Sequence, residues 1–101
     1  MGTKRSKEDW PFDDPPSVAV ITTTHIIRAG KPILLVSHDE DDGSWQFLPG
    51  DEISEDDAMV VGLGEILEID SSLASLANLP LGWSATRKTK DSVWRLLKNT
   101  E

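Results

Sequence analysis

Proline, glycine and clustered carboxylates cut this chain into short apolar runs, and that punctuation limits what it can become. The runs are residues 17–22 (SVAVIT), 33–37 (ILLVS), 45–48 (WQFL), 63–69 (LGEILEI), 82–87 (GWSATR) and 92–97 (SVWRLL). No run approaches the ~20 apolar residues of a membrane helix. Several are rich in β-branched residues, which favour half-buried pleated surfaces. Between them stand turn chemistries: Gly30 before Pro32, Asp42-Gly43, Leu48-Pro49-Gly50, and Pro80 before Gly82. Asp-Gly supplies the positive φ that tight hairpin turns need.

These boundaries predict strands at 17–22, 33–37, 45–48, 63–69, 82–87 and 92–97. A short helix is expected over 23–29, with a threonine capping its start. Residues 33–48 read as a hairpin around a wide acidic loop. Ser54 with Asp57 resembles a capping box, so the spacing predicts the chain's clearest helix from Ser54 to Gly62 or Gly64. Asp70 or Ser71 should cap another short helix carrying Leu73, Leu76 and Ala77. Residues 82–97 read as a second hairpin, across which Trp83 and Trp94 would face each other. The expected fold class is α+β: a small, mainly antiparallel sheet with two or three short helices. One domain, residues 17–98, is expected behind an N-terminal tail, residues 1–16, that Trp10 and Phe12 pin to the body.

The chain of 101 residues suffices for one core, and with no cysteine it has no disulfide, thiolate metal site or cysteine nucleophile. That composition suits a reducing compartment, and with no secretory pattern at the start the expected location is cytoplasmic. Net charge is -8, from 18 acidic and 10 basic residues. Such a surface repels phosphate backbones, so nucleic acid and membrane are not expected partners, whereas a basic protein is.

The acidity is concentrated. Asp39, Glu40, Asp41, Asp42, Asp51, Glu52, Glu55, Asp56 and Asp57 put half of all carboxylates between residues 39 and 57, where no lysine or arginine falls. Carboxylates suit hard cations, but an EF-hand loop needs glycine at its sixth position and glutamate at its twelfth. Starting at Asp39, those positions hold Ser44 and Gly50. No metal and no cofactor are expected. The other use of this acidity is a docking face, with Asp39, Glu40, Asp41 and Asp42 steering a basic partner and Trp45 as its anchor. Against it stands a solvated turn whose tryptophan is core. His25 and His38 lack HxH or HExxH partners, no GxSxG surrounds a serine, and Gly62-Leu63-Gly64 lacks the third glycine of a dinucleotide fingerprint. Arg87, Lys88, Lys90, Arg95 and Lys98 hold half the positive charge, a polarity suited to head-to-tail self-association or to a second docking place at 87–90.

The segments VSHDEDDGSWQF (36–47) and LPLGWSA (79–85), with GEILEID (64–70) between them, resemble a family of small bacterial domains catalogued among immunity proteins of polymorphic toxin systems, the immunity-protein-33-like domain. The resemblance spans roughly residues 17–97; Asp13-Asp14-Pro15-Pro16 lies outside it. It implies a cytosolic bacterial α+β domain that binds and blocks a toxin, and it supplies no catalytic residue to carry over. The expected function is therefore non-catalytic protein binding, as an immunity protein against a basic toxin. The alternatives are a small enzyme or metal-dependent hydrolase using His38 and nearby carboxylates, and an accessory module of a larger assembly.

Overall fold

The computed structural model describes residues 10–50 and 54–99. Six strands form one sheet in the order β4-β1-β3-β2-β5-β6. They are β1 (Ala19–Thr23), β2 (Leu35–His38), β3 (Trp45–Leu48), β4 (Ala58–Gly62), β5 (Trp83–Thr86) and β6 (Arg95–Lys98). Every pairing is antiparallel except β1 with β3. This is the expected α+β class, and both expected hairpins form.

The pairing registers assign each strand residue to a face. Val20, Val36, Trp45, Phe47 and Ala85 point to one side and belong to the buried core. Helices cover that side. Helix α1 (Thr24–Ile27) begins where the Thr23 side chain accepts from the Ile26 N–H, and it buries Ile26. Helix α2 (Leu63–Ile69) contributes Leu63 and Ile66, and the 3-10 helix Ser71–Leu76, capped by Asp70, contributes Leu73 and Leu76. The other face carries Ile21, Leu35, Ser37, Gln46, Leu48, Ser84 and Leu97, none of them buried. Among the described residues, Arg95 is the one charged strand residue pointing that way.

Two elements exchange the roles expected for them. The Ser54 capping pair exists: Ser54 Oγ accepts from Asp56 N–H and Asp57 Oδ2 from Ser54 N–H. The helix it starts lasts only Glu55–Asp57 before the chain enters β4. Val60 and Val61 are β-branched, and β1 supplies five consecutive cross-strand partners, so sheet pairing outweighs the cap. Conversely, 63–69 is a helix rather than a strand. Leu63, Ile66 and Leu67 recur at helical spacing and pack on the core. The Gly62-x-Gly64 pattern serves a close approach. Gly64 N–H donates to Pro16 O at 2.9 Å, and a methyl group at Gly64 would sit 3.2 Å from the Pro16 ring.

Of the expected tail, residues 1–9 lie outside the described residues. Phe12 is buried in the core and Trp10 packs against it. Trp83 and Trp94 do not face each other; Trp83 pairs with Lys98, and Trp94 lies under the Arg87 guanidinium, 4.2 Å from its ring centre.

Candidate interaction site

The β2–β3 turn carries Asp39, Glu40, Asp41 and Asp42 at one end of the sheet. Short carboxylates shape it. Asp39 Oδ1 accepts from Asp41 N–H at 3.2 Å, Asp42 Oδ1 accepts from Ser44 N–H at 3.0 Å, and Gly43 N–H returns to Asp39 O. The Ser44 bonds hold the Asp42 carboxyl below its ordinary value. Glu40, Asp41 and Asp42 are exposed and Asp39 is half-exposed.

Trp45 is not an anchor at the surface. It is 2% exposed, because it shares the helix-covered face with Phe47 two residues on. Phe12 meets it edge-on at 5.2 Å, the His38 ring stacks on it at 3.8 Å, and its indole N–H donates to Asp14 Oδ2 at 3.1 Å. His38 Nδ1 donates to the Leu79 carbonyl at 2.8 Å. Its ring thus fastens the 79–82 turn to the base of the acidic tip. Among the described residues, no group of three histidines or carboxylates could hold a metal ion.

The apolar side chain that the tip does expose is Leu81, at 52%. It leans over Gly43, its Cδ2 4.0 Å from where a β-carbon would stand there. Gly82 N–H donates to His38 O at 2.8 Å, and the Glu40 side chain lies over Gly82. Gly82 adopts φ +82, and an added methyl would fall 3.1 Å from Glu40 Oε1. Gly82→Ala is therefore expected to cost about 1–2 kcal/mol from the left-handed backbone alone, read as a lower melting temperature, and to displace Glu40, read as amide shift changes across residues 39–44. Leu81 was not among the expected site residues; the signal for it is an apolar residue between Pro80 and Gly82, a turn position that loops present to solvent.

The nine clustered carboxylates do not form one surface. Strand β3 carries the chain across the sheet, about 10 Å over three residue steps, so Asp56 and Asp57 lie at the end opposite the tip. There His25 Nε2 meets Asp57 Oδ2 at 3.1 Å, and that bond, with the Ser54 N–H, lowers the Asp57 carboxyl. Asp51 and Glu52 lie outside the described residues, as does the side chain of Glu55.

Arg87 also departs from expectation. It is no part of a basic docking hairpin, because it is buried and saturated. Nε and Nη2 donate to Ile33 O, Nη1 to Lys90 O, and Nη2 to Asp70 Oδ2 at 2.6 Å. Burial pushes the Asp70 carboxyl upward, but the Ser72 hydroxyl, the Arg87 guanidinium and the Ser72 N–H together hold it below its ordinary value.

No family model, curated protein or solved structure matches the chain. None of these comparisons supports the resemblance to immunity-protein-33-like domains. Among the described residues, no helix is long and apolar enough to cross a membrane.

Proposed function

We propose that this is a non-catalytic binding domain that docks a basic protein on its acidic tip, with Leu81 as the apolar anchor. The observation that carries the reading is one exposed leucine packed against a turn of four carboxylates. Interfaces concentrate affinity in an apolar anchor, while surrounding charge selects and steers the partner. Trp45 acts from within, as the platform on which the tip stands. The resemblance suggests a toxin as the partner. A nuclease fits the chemistry, because carboxylates can occupy a surface built for phosphate.

The test begins with capture of partners from host lysate, comparing the native chain with two variants. One carries Asp39→Asn, Glu40→Gln, Asp41→Asn and Asp42→Asn together; asparagine keeps the acceptor oxygens that shape the turn. The other carries Leu81→Ala. With the partner identified, the neutralised tip should slow association by about tenfold or more and flatten its salt dependence. Leu81→Ala should mainly speed dissociation. An unchanged on-rate and salt slope for the neutralised tip refutes the reading. A toxin as partner further requires that co-expression of the native chain relieve its toxicity.

A further inference from the structure

The two edges of the sheet are complementary to each other. Along the strand order, β4 and β6 both run toward the acidic tip, because one parallel and four antiparallel pairings separate them. A second copy placed beside the first in the same orientation would therefore set β6 parallel to β4, with the helices of both copies on one side.

Each edge exposes what the other needs. On the open face, Val60 of β4 is 68% exposed and Leu97 of β6 is 51% exposed. On the helix face, Leu96 of β6 is 50% exposed, matching the half-buried Met59 and Val61 of β4. Charge agrees with shape. Arg95 opens β6 at the end of the sheet where Asp56 and Asp57 precede β4. Beside Arg95 is a recess of about 350 Å³ lined also by Thr86, Arg87, Lys88, Ser92 and Val93. Its lining is mostly apolar, and Lys88 and Arg95 are the cations a carboxylate would meet there.

We propose that copies of this chain associate edge to edge, β6 of one against β4 of the next, with the Asp56–Asp57 turn of one copy in the Arg95 recess of its neighbour. Edge strands with exposed apolar residues are templates for such pairing unless something blunts them. Antiparallel pairing of two β6 strands with the helices on one side would set Arg95 opposite Leu97 and leave the Asp56–Asp57 turn without its cation. The contact is heterologous and leaves a free edge at each end, so it propagates rather than closes. One strand pair is a small interface, so association should be weak and concentration-dependent.

Sedimentation of the full chain across a concentration series tests this. The native chain should form dimers and longer species. Val60→Lys, which spoils β4, and Leu97→Lys, which spoils β6, sit at exposed positions and should each give monomers. Mixed, the two should form a one-to-one dimer and nothing longer, because one intact edge of each kind remains. Arg95→Glu or Asp56→Lys alone should weaken association on the order of tenfold, and the two together should restore it. Circular dichroism confirms that each variant folds. The proposal is overturned if the native chain stays monomeric, or if one variant dimerises fully by itself: Leu97→Lys doing so indicates β4 against β4, and Val60→Lys doing so indicates β6 against β6. It is also overturned if neutralising Asp39–Asp42 abolishes association, which makes the acidic tip the contact.

Discussion

Replacing Asp70 by alanine is expected to destabilise the domain by about 3–5 kcal/mol, since it strands a buried guanidinium without its counter-charge. For a domain of this size that lowers the melting temperature by roughly 12 °C or more. Arg87→Ala should cost as much, because it also frees the Ile33 and Lys90 carbonyls and uncovers Trp94. The double variant should lose much less than the sum of the two, as residues sharing one network do. Acid gives an independent reading. The Asp70 carboxyl lies below its ordinary value of 3.8 in the folded chain. Its stabilisation is therefore complete above that value and is lost as pH falls through the lower folded one. Between neutral pH and strong acid the native chain should lose more stability than Asp70→Ala. Equal slopes in urea titrations across that range, or a loss under about 1 kcal/mol at neutral pH, would remove Asp70 from the role assigned here.

Trp45→Ala should cost a similar amount, about 3–5 kcal/mol, the usual price of deleting a buried aromatic. It takes away the ring that His38 stacks on and the surface that Phe12 and Phe47 meet. Trp45→Phe isolates the polar contribution. It keeps an aromatic ring in the slot and deletes the N–H bond to Asp14, a charge-assisted bond for which about 1.5–3 kcal/mol is typical. A surface anchor would behave oppositely, leaving the thermal melt unchanged while weakening a complex. A melt therefore separates the two roles with no partner in hand, and a shift of only a degree or two for Trp45→Ala contradicts the burial described here.

What the sequence disclosed and what it concealed divide along the range of the interactions. The 33–48 and 82–97 hairpins were readable because turn chemistry and strand pairing are local there. The Ser54 cap was also readable, yet a cap favours a helix only weakly, and β1, far away in sequence, recruited Val60 and Val61 to the sheet. In 63–69, Glu65 and Glu68 interrupt the apolar residues in a way that suits either period, and the long-range contacts of Leu63 and Ile66 decide. Arg87 looked like surface charge because its partner, Asp70, lies 17 residues upstream. The candidate site was half legible. The four carboxylates of the tip follow one another in sequence, so their common exposure could be read. Trp45 could not be placed until register assigned it a face, although its alternation with Phe47 pointed inward. The apparent unity of residues 39–57 was a property of the line of letters, and β3 separates its two halves in space.

The strand order also sets a timetable. Strand β1 lies inside the sheet, yet both its neighbours come later in the chain, at 45–48 and 58–62. As the polypeptide leaves the ribosome, Val20, Ile21 and Thr22 have no strand to pair with. Strands β2 and β3 can close on each other first, because a short turn joins them. Only when β3 is present can the Thr22 hydroxyl reach the Phe47 carbonyl, and only when β4 has emerged is the second side of β1 sealed. Of the four interior strands, β1 is thus the one that waits longest for a first partner during synthesis. Capture by a chaperone, or mispairing in a nascent chain stalled before residue 58, would begin there.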